Sequence, residues 1–217
     1  MMIRFLCVAF CGMLVGLPAE ARQSRSGEFD YLVLALSWSP TYCATAGQND
    51  LSQCSPGRKF AFVVHGLWPQ FKKGWPEFCT TSEGWVNEAQ IDSMMDIMPS
   101  RKLIIHQWKK HGSCAGVSQA EYFRATRLLF EKVKIPARYL SPTADVITTP
   151  AQLATDFVKT NRDLAADMIS VQCGNAHNRA RLSELRVCFS KRGDFATCGA
   201  NERKSCDVRT LVMPKVR

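Results

Sequence analysis

Ile104-Ile105-His106-Gln107-Trp108-Lys109-Lys110-His111-Gly112-Ser113-Cys114 carries two of the chain's four histidines. The stretch reads as a helix over residues 103–111. At 3.6 residues per turn, His106, Gln107, Lys110 and His111 fall within an arc of roughly 140° on one face. That face then holds two imidazoles, an ammonium group and an amide, while Trp108 and Lys109 point elsewhere. Gly112 is placed to stop the helix. Two imidazoles beside a lysine suit a phosphate undergoing general acid–base chemistry. A surface helix that happens to carry two histidines would look the same, so a second stretch has to decide.

That stretch is Lys59-Phe60-Ala61-Phe62-Val63-Val64-His65-Gly66-Leu67-Trp68-Pro69-Gln70. Phe60 to Val64 is a short apolar run, which predicts a buried strand. It delivers His65 at its end, where Gly66 and Pro69 bend the chain. Exposed strand ends and loops on a rigid scaffold are where catalytic groups collect. Trp68 is either core or a platform on which a nucleobase stacks.

Outward from these two stretches, elements alternate. Phe29 to Trp38 is apolar and bounded by Ser39-Pro40, which predicts another buried strand. Asn87 to Ile97 reads as a helix ending before Pro99. Ser118 and Glu121 form a capping box that opens an amphipathic helix, with Tyr122, Phe123, Leu129, Phe130 and Val133 inward. Thr149, Pro150 and Gln152 start a further helix running to about Asn161. Met168 to Cys173 and Leu182 to Ser190 read as strands, the latter with Leu185, Val187 and Phe189 on one face. The tail from Lys191 is basic and loop-rich.

The chain has 217 residues, 46% of them hydrophobic, with a formal net charge of +9. Its sequence pI is about 9.2. That size predicts one domain, residues 22–217. The charge means either a solvated basic surface or attraction to a polyanion such as nucleic acid.

Residues 1–21 read as a secretory leader rather than part of the fold. Arg4 supplies the positive start. Phe5 to Leu17 is an apolar run of about 13 residues, too short to span a bilayer. Ala19-Glu20-Ala21 is a small-x-small cleavage site. Of the ten cysteines, Cys7 and Cys11 leave with the leader. Cys43, Cys54, Cys79, Cys114, Cys173, Cys188, Cys198 and Cys206 remain, an even set that predicts four disulfides in an oxidising compartment, periplasmic or extracellular. The short loop between Cys43 and Cys54 suggests that these two pair. There is no Cys-x-x-Cys pair, and no carboxylate cluster suited to hold a metal, so no metal and no cofactor is expected.

The two histidine stretches together resemble the ribonuclease T2 family. His65-Gly66-Leu67-Trp68-Pro69 resembles its first active-site motif. His106-Gln107-Trp108-Lys109-Lys110-His111-Gly112-Ser113-Cys114 resembles its second. The resemblance extends from Phe29-Asp30-Tyr31 to Cys188. It implies an α+β fold, with a central antiparallel sheet and helices packed against it, stapled by disulfides. It also implies a metal-independent endoribonuclease of low base specificity. His65 would be the general acid and His111 the general base; His106 and Lys110 would bind and neutralise the phosphate. Trp68 would stack on a base, with Gln70 near the base site. RNA is the implied partner. DNA, which lacks the attacking 2′-hydroxyl, is not a substrate. A monomer free of membrane contact is expected after the leader is cut. Cys188–Cys198, another short loop, is expected to nest inside Cys173–Cys206; the long disulfides Cys79–Cys114 and Cys173–Cys206 are implied by the resemblance.

One departure from the pattern matters. The family carries glutamate where this chain has Gln107. An amide can still hydrogen-bond a phosphoryl oxygen or an imidazole, but it cannot carry charge. The alternative reading is therefore a catalytically weakened, RNA-binding or toxin-like member. Retention of both catalytic histidines argues against it.

Overall fold

The computed structural model describes residues 25–176 and 179–216. The expected leader, residues 1–21, lies outside the described residues. A six-stranded sheet forms the centre, in the order β2-β1-β5-β6-β3, with β4 paired to β5 off that path. The strands are β1 (Tyr31–Trp38), β2 (Phe62–Gln70), β3 (Val146–Thr148), β4 (Ile169–Ala176), β5 (Arg179–Phe189) and β6 (Leu211–Met213). Every pairing is antiparallel except the single β5–β6 contact at Arg181 and Val212. This is the α+β, mainly antiparallel architecture expected from the sequence.

The alternation of β1 sorts the two faces of the sheet. Leu32, Leu34, Leu36 and Trp38 are buried in the main core, together with residues of the helices. Tyr31 and Val33 point the other way, into a small cluster with Cys188, Cys198 and the edge of Trp68. On β5, Leu185, Val187 and Phe189 join the main core. Glu184 and Arg186 therefore emerge on the opposite face, where they pair across to Ser37 and Ala35 of β1.

β2 differs from its sequence reading. It does not end at His65 but runs on through Gly66 and Pro69 to Gln70. The reason lies in the register. Gly66 pairs with Ala35 and Val64 with Leu36, so His65 has no partner on β1 and sits at a β-bulge. Such bulges re-aim a side chain without ending the strand. Pro69 is tolerated because β2 is an edge strand.

The helices are α1 (Ser39–Ala44), α2 (Leu51–Cys54), α3 (Glu88–Asp92), α4 (Arg101–Lys110), α5 (Gln119–Lys132) and α6 (Pro150–Thr160). α1 and α2 occupy the stretch that contains the short Cys43–Cys54 loop. Each is too short to hold itself, and the Cys43–Cys54 disulfide clamps them together. α3 stops at Asp92, short of the expected Ile97, and the chain continues in turns to Ile97, whose carbonyl accepts the amide of Val64 at 2.8 Å. Leaving the helix lets residues 94–98 close the outer edge of β2.

α4 begins at Ser100, whose hydroxyl accepts the amide of Leu103. Ile104 and Trp108, four residues apart, bury one face of it. Trp108 packs against Tyr122 and Phe123 of α5, with ring centroids 5.7 and 6.5 Å away. α5 carries the expected capping box of Ser118 and Glu121. Tyr122 then donates its hydroxyl to the carbonyl of Leu67 at 2.9 Å. This chain of contacts fixes α4 against β2. Gly112 opens a short 3₁₀ turn after α4; a Cβ there would lie 2.4 Å from the Trp108 ring. Close approach, not a left-handed stop, is why glycine stands at 112.

Among the described residues four disulfides form: Cys43–Cys54, Cys79–Cys114, Cys173–Cys206 and Cys188–Cys198. None of the helices among the described residues is long and apolar enough to cross a membrane.

Candidate active site

The polar face of α4 and the bulged strand β2 converge on one cleft of about 260 Å³. It is lined by His65, Trp68 and Gln70 from β2, His106, Gln107 and Lys110 from α4, and His111, which caps that helix. Trp75 and Arg186 complete the wall. All seven side chains singled out in the sequence thus meet in one place. Gly66 lets them do so. A Cβ on it would lie 2.0 Å from Oε1 of Gln107 and 2.5 Å from Nε1 of Trp68.

Trp68 stands at the centre. Its Nε1 donates to Oε1 of Gln107 at 2.7 Å. Its ring lies 5.2 Å from that of His65, edge-on, and 5.3 Å from that of His111, tilted by 31°. The guanidinium of Arg186 sits 5.0 Å from the indole centroid, within cation–π range. Trp68 therefore sets the spacing of the two imidazoles.

The histidines differ in environment. His111 is only 7% exposed, and its Nδ1 is buried with no hydrogen-bond partner. Burial, then the charge of Lys110, then His65 and His106, push it down to about 3. It is a neutral imidazole at any ordinary pH. His106 is also lowered, by burial first and then by Lys110 and His65. His65 sits beside a carboxylate. Its Nδ1 is 2.5 Å from Oε1 of Glu184. Burial alone would raise Glu184, but the hydrogen bond and charge of His65, with Arg186 adding to them, hold its carboxyl below the usual range.

Lys110 faces Glu77 at 3.4 Å. Gln70 is 4% exposed, and its Oε1 accepts from Nδ2 of Asn201 at 3.0 Å. The same amide nitrogen of Asn201 reaches the carbonyl of Gly74 at 2.8 Å. One residue of the C-terminal loop therefore fixes both Gln70 and the turn that presents Trp75.

Sequence reasoning missed Glu184, Arg186, Trp75 and Asn201. For the first two a signal was present. Leu185, Val187 and Phe189 facing the core oblige Glu184 and Arg186 to face the other way.

The ribonuclease T2 family model matches residues 29–198, a span that contains both histidine motifs and Glu184. The chain belongs to the ribonuclease T2 family. A ribonuclease of Aeromonas hydrophila is 33% identical over 229 residues, covering 97% of this chain and 98% of that one. A probable ribonuclease of Haemophilus influenzae is 30% identical over 189 residues, covering 81% of this chain and 63% of that one. Among solved structures, an RNase-related protein from Calystegia sepium superposes with a TM-score of 0.68 at 20% identity, covering 88% and 99% of the two chains. RNase NT, solved with 5′-AMP, superposes with a TM-score of 0.62 at 21% identity, covering 88% and 98%. This T2 protein is accordingly a ribonuclease, an enzyme of the endoribonuclease type that acts on RNA.

Proposed function

We propose that the protein is an exported, metal-independent endoribonuclease of low base specificity that cleaves RNA in two steps through a 2′,3′-cyclic phosphate. The observation that carries this reading is the contrast between two imidazoles packed on one indole. His111 is buried and neutral; His65 is hydrogen-bonded to a carboxylate. One is suited to accept a proton and the other to give one.

In the first step, His111 takes the proton of the 2′-hydroxyl as the 2′ oxygen bonds to phosphorus. His65 protonates the 5′ oxygen as the bond from phosphorus to it breaks. In the second step the roles reverse: His65 removes a proton from water, and His111 protonates the 2′ oxygen to leave a 3′-phosphate. Lys110 and His106 face the charge that builds on the phosphorane. Gln107, held by Trp68, fixes the helix face. Trp68, Gln70 and Trp75 supply apolar and hydrogen-bonding surface for a base. Burial is the main cause that keeps His111 so weak a base, with the charge of Lys110 second; an anionic phosphate offsets the second and so brings His111 closer to a working pKa.

Four disulfides fit an oxidising compartment, in keeping with a leader cut after Ala21 and a single domain over 22–217 acting as a monomer. The test is cleavage of RNA by the mature protein in excess EDTA, with products followed by ³¹P NMR. A cyclic phosphate that appears and then decays to a 3′-phosphate, with a matched DNA left intact, is the expected outcome. Loss of activity in EDTA, or cleavage of DNA, would overturn the reading.

A further inference from the structure

We infer that Glu184 of β5 is the positioning residue for His65, fixing its ring so that Nε2 faces the scissile phosphate and the leaving 5′ oxygen. This inference rests on the ribonuclease reading above.

Three observations carry it. The contact is direct: Oε1 of Glu184 lies 2.5 Å from Nδ1 of His65. An imidazole held at Nδ1 by a carboxylate has its tautomer and orientation decided, because Nδ1 must carry the shared proton and Nε2 is left for the substrate. The carboxylate is itself locked. Its second oxygen accepts from Nε of Arg186 at 3.0 Å and faces Nη2 at 2.9 Å. Both nitrogens meet the same oxygen, and the charge-assisted hydrogen bond from Nε holds the carboxylate in place. The side chain is 12% exposed, so water competes weakly for it.

The third observation is where His65 stands. At the β-bulge it has no partner on β1, and 35% of its side chain is exposed. His111 is held by burial, and His106 and Lys110 by a packed helix. His65 stands on no packed helix; Trp68 meets its ring edge-on at 5.2 Å, and Glu184 is the anchor at Nδ1. The carboxylate that reaches His65 comes from β5, on the strand opposite β2 across β1.

The proton balance is that of the proposed reaction. As phosphorus bonds to the 2′ oxygen and parts from the 5′ oxygen, the proton on Nε2 of His65 passes to the 5′ oxygen. The proton between Nδ1 and Glu184 stays on Nδ1. Glu184 touches no substrate and acts through His65.

The experiment compares Glu184→Gln with the wild type on two substrates, a dinucleoside phosphate and a uridine 3′-(4-nitrophenyl phosphate). The first has an alkoxide leaving group that needs a proton; the second has a phenolate that does not. Circular dichroism and thermal melting establish that the variant folds. The expected result is a fall in kcat of roughly 10²-fold on the dinucleoside phosphate, the lower end of what general acid catalysis supplies, with no rise in KM. On the nitrophenyl substrate the loss should be less than about threefold. Added to His65→Ala, the substitution should cost nothing further, as for two residues acting as one unit. Equal losses on the two substrates, or additive losses with His65→Ala, would overturn the inference while leaving the ribonuclease reading intact. A wild type that cleaves neither substrate would instead overturn the ribonuclease reading.

Discussion

Gly66 and Gln107 compete for one volume: a Cβ on Gly66 would stand 2.0 Å from Oε1 of the amide. That oxygen accepts the Trp68 indole, and Trp68 packs on both His65 and His111. Gly66→Ala should therefore displace the whole set. Overpacking of this kind costs about 1–3 kcal/mol, and cleavage should fall far more than stability does. Thermal melting and kcat/KM measured side by side check this. A fully active Gly66→Ala enzyme would mean that Gln107 can retreat freely.

His65→Ala and His111→Ala should each remove most RNA cleavage from a folded protein, by about 10²–10⁴-fold. The two differ on the nitrophenyl substrate. His111→Ala should fail there as well, since the 2′-hydroxyl still needs a base, whereas His65→Ala should keep most of its activity. A reversed pattern would exchange the acid and base assignments.

The Cys79–Cys114 disulfide ties the loop after β2 to the end of α4 across 35 residues. Beside it, the amide of Phe78 donates to the carbonyl of Lys110 at 2.9 Å. Replacing both cysteines with alanine should cost about 2–5 kcal/mol. It should also raise KM, because Trp75 and Lys110 lose a shared anchor. Chemical denaturation and steady-state kinetics report the two effects separately.

The buried His111 makes stability depend on pH with a definite sign. Its folded pKa of about 3 lies below the ordinary 6.5. As pH falls below 6.5 the unfolded chain takes up a proton that the folded protein refuses, so stability is lost on acidification. From pH 7 to pH 5, before the carboxylates titrate, the loss from this residue is about 2 kcal/mol. His106, lowered in the same direction, adds to it. In His111→Asn the fall in denaturation midpoint over that range should be clearly smaller than in the wild type. Equal falls would mean that His111 is not buried in solution.

The site was legible where its signals were local. The shared face of His106, Gln107, Lys110 and His111 marks α4, though the helix starts two residues before the expected 103, and the capping box marks α5. The bulge at His65 was not legible. Gly66 and Pro69 look like strand breakers, and only the edge position of β2 lets the strand continue through them. β6 has three residues, too few to show alternation. Glu184 lies 119 residues from His65, and its importance depends on a register that pairs β5 with β1. Local spacing reports a helix face; it does not report which strand will stand opposite it.

Gln107 stands where the resemblance leads to the expectation of a glutamate, and the structure sharpens what its replacement should do. The side chain is 1% exposed and holds Trp68 through an oxygen that glutamate also possesses. Gln107→Glu should therefore keep the indole in place, and the turnover rate should change by less than about tenfold, or 1.4 kcal/mol of barrier. The charge should act on His111, four residues on along the same helix. A buried carboxylate beside an imidazole favours the imidazolium, so His111 should rise from about 3 toward its ordinary value. The acidic limb of the pH profile of kcat/KM, which reports the base of the free enzyme, should move upward with it. NMR titration of the His111 ring in wild type and variant measures the shift directly. A limb that stays in place would mean that residue 107 does not share the field of His111. A rate gain well beyond tenfold would mean that the amide handicaps the natural enzyme.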